Sequence, residues 1–192
     1  MLLKGKKIGL AITGSFCTIS RVLNEIDNII KEGGEIFPIL SESVYNFDTR
    51  FGEAEELKKR LESMTGNKII STIVEAEPIG PKGMLDLLVI APCTGNTLAK
   101  LANAITDTPV AMAFKAQLRN QKPVLIAIST NDGLGANAKN LGLLLNMKNV
   151  YFVPFGQDDP EKKCNSLVAK FDKMITSIVE AINGRQIQPI LV

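Results

Sequence analysis

Residues 85–107 read LDLLVIAPCTGNTLAKLANAITD. Leu85–Ala91 is apolar except for Asp86, and Pro92 closes it. A run of that length and composition suits a strand buried on both faces. From Asn96 to Thr106, Leu98, Leu101, Ala102 and Ile105 recur at helical spacing, so a helix follows. Between them stand Thr94, Gly95, Asn96 and Thr97, more small polar residues than one helix cap requires. The unit is strand, polar loop, helix.

The rest of the chain repeats this unit. Ile8–Thr13 is a short apolar run ended by Gly14-Ser15, and Ile19, Val22, Leu23, Ile26, Ile29 and Ile30 then follow at helical spacing up to Gly33-Gly34. Glu35–Leu40 is a second strand, Ser41–Gly52 a polar loop, and Glu53–Met64 an exposed helix with Glu55 and Lys59 four apart. Ile69–Val74 is expected as a third strand. Val110–Arg119 is a helix behind Pro109, Pro123–Ser129 a buried strand, Leu141–Met147 helical and Val150–Pro154 the final strand. Asn165-Ser166 is expected to cap a long last helix carrying Leu167, Phe171, Met174, Ile175, Ile178 and Ile182.

Strands alternating with helices predict the α/β class, a parallel sheet with helices on both faces in three layers. At 192 residues, with no linker, repeat or low-complexity stretch, a single domain over 1–192 is expected. Right-handed crossovers place the loops after the strands on one edge, where ligands bind in such folds. The loops of interest are 13–18, 41–51, 91–97 and 129–137.

Composition narrows the chemistry. The chain has no histidine, so a Ser-His-Asp triad, a Cys-His dyad and His-ligated zinc are excluded within it. Lys and Arg total 22 against 20 Asp and Glu, giving +2, and there is no Trp. Neither nucleic acid nor a membrane surface is expected as a partner. Cys17, Cys93 and Cys164 are odd in number and form no CxxC pair, so no disulfide framework or metal site is expected. Free thiols fit a reducing cytosol. Cys17 and Cys93 both follow strand ends and read best as small buried hydrophobes. The start, Met1-Leu2-Leu3-Lys4-Gly5-Lys6-Lys7, has no signal-peptide apolar region, and no apolar run reaches 18 residues.

Three loops could carry chemistry. Thr13-Gly14-Ser15-Phe16-Cys17-Thr18 leaves a strand for a helix, so it is either a plain capped turn or an anion site of backbone N–H groups and hydroxyls. With Gly14 alone, it is neither a dinucleotide fingerprint nor a Walker loop. Pro92 to Thr97 is its counterpart. In Ser129-Thr130-Asn131-Asp132-Gly133-Leu134-Gly135-Ala136-Asn137, the glycines and Asx residues fit an ordinary loop or a ligand loop, with Asp132 a candidate base. Arg50 and Arg119 are either solvated or carboxylate-binding. Asp132, Tyr45 and Glu53 all stand near these loops and are alternative candidates for a proton acceptor.

The stretch Ala91 to Asp107, together with Thr13-Gly14-Ser15, resembles the signature of the flavoprotein family, which includes FMN-dependent cysteine decarboxylases and flavin prenyltransferases. The resemblance implies a Rossmann-like or flavodoxin-like fold and FMN as cofactor. It places FMN on Thr13, Gly14, Ser15, Phe16, Ser41, Ser43, Pro92, Thr94, Gly95, Asn96, Thr97, Ser129 and Thr130. It also implies a homo-oligomer, trimer or dodecamer, with the flavin between neighbouring copies.

Longer stretches are similar to a narrower branch of that family. They are Leu3–Gly9, Thr49–Glu53, Ala76–Pro81, Ser129–Asp132 and Tyr151–Gln157. That branch implies the B component of a two-component oxidoreductase acting in the cytoplasm of the mother cell of a sporulating bacterium. With an A component that carries NADP, it oxidises dihydrodipicolinate to dipicolinate. Asn131 and Asp132 are then the catalytic candidates, and Arg50 and Asn131 the binders of a small dicarboxylate. The family's decarboxylases use a histidine and a P-x-M-N stretch; this chain has no histidine and has Ser129-Thr130-Asn131-Asp132 instead. The implied picture keeps the phosphate loops and replaces the chemistry. Two other readings are a non-catalytic component that activates or positions its partner, and an independent FMN enzyme.

Overall fold

The computed structural model describes residues 1–192. Five strands form a parallel core in the order β2-β1-β3-β4-β5, namely β1 (Lys7–Ile12), β2 (Glu35–Leu40), β3 (Leu87–Cys93), β4 (Val124–Thr130) and β5 (Val150–Phe152). Strands β1, β3 and β4 are buried along nearly their whole length because helices cover both faces.

Side-chain alternation sorts each strand between two cores. Ile8, Leu10 and Ile12 of β1, with Leu87 and Val89 of β3, face α1 (Phe16–Lys31), α3 (Ala54–Thr65) and α8 (Met174–Ile182). Leu88 and Ile90 face the other way, toward α5 (Gly95–Ala102), α6 (Pro109–Arg119) and α7 (Ala138–Leu145). The register shifts between Ile90 and Cys93, so Cys93 joins the second core although strict alternation would send it to the first. Helix α1 is amphipathic in the same sense, burying Thr18, Ile19, Val22, Leu23, Ile26 and Ile29. Each of the large aliphatics on that face contributes about 1.5–3 kcal/mol of burial.

Four expectations change. The sheet is mixed: β6 (Phe155–Gln157) and β7 (Leu167–Ala169) form an antiparallel hairpin, and β7 pairs Ser129 and Thr130 of β4 antiparallel. The far edge of β4 is therefore shared, with β5 along Val124–Ile126 and β7 beyond it. Asn165-Ser166 caps no helix; it precedes β7, and the last helix begins at Met174 after a 3-10 turn at Phe171–Lys173. Leu167, Ala169 and Phe171 are buried at strand spacing, a pattern that also satisfies a helical reading. Ile69–Val74 is not a strand. Ile70 makes one bridge to Ile39, and the chain turns at once into α4 (Ile73–Ala76), where Thr72 and Glu75 form a capping box. On α3, Glu55 pairs with Lys58, one residue short of the expected partner.

The crossover from β2 to β3 passes from one side of β1 to the other. The loops after β1 and β3 therefore diverge, and the crevice they leave is where this topology places ligands.

Candidate functional site

The crevice is a cleft of about 910 Å³. Its walls are Gly14 to Thr18 after β1, Thr94 to Asn96 after β3, Ser129 to Asp132 at the end of β4, the Arg50-Phe51 turn, Arg21 of α1, and Asp158, Lys163 and Ser166–Val168 of the β6–β7 hairpin. Three of the four loops marked by the sequence meet here, and the fourth contributes Arg50.

At the floor, three hydroxyls touch one another. Ser15 Oγ lies 2.7 Å from Thr18 Oγ1 and 2.8 Å from Ser129 Oγ, and Thr18 Oγ1 lies 2.9 Å from Ser129 Oγ. Thr18 Oγ1 is also within 2.8 Å of the Ser15 carbonyl, to which it can donate. Ser15 occupies the N-cap position of α1 without capping it. The cluster thus presents rotatable donors at the positive end of a 16-residue helix, an arrangement that favours an anion.

Thr94 does cap. Its Oγ1 accepts from the Thr97 backbone N–H at 3.2 Å. Thr13 is buried and ties two loops together: Oγ1 donates to the Pro92 carbonyl at 2.7 Å and accepts from the Thr94 N–H at 3.0 Å. Thr13, Pro92 and Thr97 therefore shape the site from behind and do not line it. Ser41 and Ser43 bond each other at 3.1 Å, and Ser43 Oγ stands beside Gly14, where an added Cβ would meet it at 3.0 Å.

Asp132 is the clasp of its loop. Thr130 Oγ1 donates to Oδ1 at 2.5 Å and Asn137 Nδ2 to Oδ2 at 2.7 Å. The Asp132 carbonyl accepts from the Gly135 and Asn137 N–H groups. The network continues inward: Asn140 donates to Asn137 at 2.8 Å, and Asn103 to Asn140 at 3.1 Å, with Asn137 and Asn140 both buried. The first residue of α5 packs straight onto it. A Cβ on Gly95 would fall 2.5 Å from Asp132 Oδ1 and 2.6 Å from both Asn137 Nδ2 and Thr130 Oγ1.

Against these engaged groups stand side chains with no hydrogen-bonded partner in the chain. Asn96 and Asn131 are exposed amides on the cleft, and Arg21 and Arg50 are guanidinium groups without an ion pair. Arg50 lies 4.8 Å over the Phe51 ring. Lys163 pairs with Asp158 at 2.8 Å; that ammonium, aided by Arg21 and Lys170, holds the Asp158 carboxyl below the usual carboxylate range. Arg119 does not reach the cleft. Cys93 is buried, which pushes its thiol pKa up, whereas Cys17 is exposed at the cleft, contrary to expectation. Arg21, Asp158 and Lys163 join the site without a loop motif to mark them. Arg21 sits four residues after Cys17 on the polar stripe of α1, which is the available signal.

Comparison with known proteins gives this geometry a family. The flavoprotein family matches residues 2–186. The chain belongs to the flavoprotein family. It is 53% identical over 190 residues to the B component of dipicolinate synthase from Bacillus subtilis (strain 168), covering 99% of this chain and 95% of that protein. The crystal structure of the same dipicolinate synthase component from Bacillus halodurans has a TM-score of 0.92 and 46% identity, covering 100% of this chain and 98% of that one. The fold extends further, to the FMN-dependent cysteine decarboxylase SpaF, at TM-score 0.66 and 18% identity, over 95% of this chain and 99% of that one. No helix of the chain is long and apolar enough to cross a membrane.

Proposed function

We propose that this chain is the B component of a dipicolinate-forming oxidoreductase and that its cleft binds the dicarboxylate. The observation that carries this reading is the set of unpaired cationic and amide side chains, Arg21, Arg50, Asn96 and Asn131, around one cleft in a chain so similar to a dipicolinate synthase component. Unpaired guanidinium groups suit carboxylates, which they hold bidentately. Amides suit the edge of a nitrogen heterocycle, because each offers both a donor and an acceptor.

The reaction converts dihydrodipicolinate to dipicolinate. A hydride leaves to NADP⁺, carried by a separate A component, and a proton leaves to a base or to water. The gain of aromaticity drives it, so the protein's task is orientation and charge pairing. Arg50 holds a carboxylate and Asn131 orients the ring. Of the two carboxylates on the cleft, Asp158 is committed to Lys163. Asp132 is then the proton acceptor, keeping one lone pair free on each oxygen beyond those used by Thr130 and Asn137.

The cleft also fits FMN. The Ser15–Thr18–Ser129 hydroxyls would take its phosphate, with Asn96 and Thr130 at its polar groups. FMN bound there would supply a two-electron acceptor. Copies of the chain are proposed to assemble as a trimer or dodecamer. The whole complex is proposed to work in the cytoplasm of a sporulating mother cell.

A second reading has a specific observation behind it. Asp132 is so fully engaged as a loop clasp that the chain could bind and position without doing chemistry. Reconstitution with the A component of the Bacillus subtilis enzyme tests both, by following NADPH formation with dihydrodipicolinate. Turnover that requires this chain and falls about 10-fold or more in Arg50→Ala or Asn96→Ala supports the binding role. Asp132→Asn separates the two readings: lost turnover with intact binding favours catalysis, and retained turnover favours positioning. Full turnover by the A component alone refutes both.

A further inference from the structure

The cleft has a second cationic wall. On α1, Ile19, Val22, Leu23 and Ile26 are buried, which turns Cys17, Arg21 and Asn24 outward along one stripe. Cys17 and Arg21 line the cleft, and beyond Arg21 the wall continues into an adjoining depression with Asn24, Glu25, Lys170 and Asp172. The β6–β7 hairpin faces this stripe. Its Asp158, which feels the Arg21 charge, is bonded to Lys163, so that carboxylate is already neutralised by an ammonium. Glu25 is turned along its own helix, where Asn28 donates to it at 3.3 Å. Arg21 is left charged, on the cleft and without an ion pair. Arg50 has the same status but comes from a different segment, the turn between α2 (Glu42–Asn46) and α3.

We propose that Arg21 is a specificity-determining residue: it takes one carboxylate of a dicarboxylate whose other carboxylate is held by Arg50. The inference rests on the dicarboxylate reading of the cleft and deepens it. Two guanidinium groups on separate segments of one cleft can each take a carboxylate, whereas a singly charged ligand can engage only one of them. Asp158 has a defined part in this wall. It keeps the Lys163 ammonium from being a third free cation, so the site offers two anchoring charges and selects for charge number.

The test is calorimetric titration of the whole chain with pyridine-2,6-dicarboxylate and with pyridine-2-carboxylate. The wild type is expected to bind the dicarboxylate about 10-fold to 100-fold more tightly, the worth of one charge-assisted pair. Arg21→Gln is expected to erase that preference, lowering dicarboxylate affinity by the same factor and leaving the monocarboxylate within about 2-fold. Arg21→Lys should restore part of it, because it keeps the charge and loses the fork. Because Arg21 is exposed, the variant is expected to melt like the wild type. An unchanged preference in Arg21→Gln overturns this inference and leaves the reading of the cleft intact. A wild type that binds neither compound overturns both.

Discussion

Gly95→Ala tests whether Asp132 and its partners form a structural clasp. The added methyl would stand 2.5–2.6 Å from three polar atoms, Asp132 Oδ1, Asn137 Nδ2 and Thr130 Oγ1. None can retreat easily. Each is hydrogen-bonded to another of the group, and Asn137 is braced behind by Asn140. Overpacking at such a site costs about 1–3 kcal/mol. Losing one of the two hydrogen bonds to the carboxylate costs about 1.5–3 kcal/mol more. The helix propensity gained from Ala offsets up to about 1 kcal/mol. The net is a destabilisation of about 1.5–6 kcal/mol, or roughly 3–24 °C in melting temperature for a chain of this size. Gly142 supplies the control of opposite sign. It lies within α7 with nothing near its Cβ direction, so Gly142→Ala should stabilise by about 0.4–1 kcal/mol. Thermal unfolding followed by circular dichroism reads both. If Gly95→Ala melts within about 1 °C of the wild type, the network is not rigid and Asp132 is no clasp.

Two further outcomes follow from charge and burial. In the native protein, Ellman's reagent should titrate Cys17 and Cys164 rapidly and leave Cys93 unreacted until the chain is denatured, because burial disfavours its thiolate. Three thiols reacting at one fast rate would contradict the buried position at the end of β3. The depressed Asp158 pKa gives a pH dependence of definite sign. Its contribution to stability is present above the ordinary carboxylate range and is lost as pH falls through its lower folded value. The pair is largely exposed, so the contribution is only about 0.2–1 kcal/mol after solvent screening. Asp158→Asn should therefore lower the melting temperature slightly near neutrality and by less at about pH 3, below the unfolded value, where the contribution is already being lost. An equal deficit at both pH values would mean that the charge pair is irrelevant.

The parallel core was legible because β1, β3 and β4 are continuous apolar runs and the helices between them keep a clear period. The hairpin was not. Its strands have three residues each, too few for an alternation to stand out. Buried Leu167 and Phe171 are four apart, which is a helical interval as well. The short helix at Ile73–Ala76 was hidden in the same way, because Ile69, Ile70, Ile73 and Val74 look β-branched throughout while the Thr72–Glu75 capping box settles the local conformation.

The site followed the same logic. Loops leaving long strands could be placed on one edge from topology alone, and Ser15, Asn96, Ser129 and Asn131 do meet in the cleft. Which hydroxyls are free and which are spent could not be read from residue type. Thr13 and Thr94 are consumed by Pro92, Thr97 and each other, and Asp132 by Thr130 and Asn137. Arg21 and Lys163 arrive from a helix face and from the unforeseen hairpin, so no loop motif announced them.

The most direct measurement is a crystal structure of the protein grown with pyridine-2,6-dicarboxylate. The ligand is expected in the cleft, with one carboxylate at Arg50, the other at Arg21, and the ring within reach of Asn96 and Asn131. Ligand found instead in the apolar pocket between α1 and α3, lined by Phe47, Leu57 and Leu23, or a cleft holding only solvent at saturating ligand, would contradict the dicarboxylate reading.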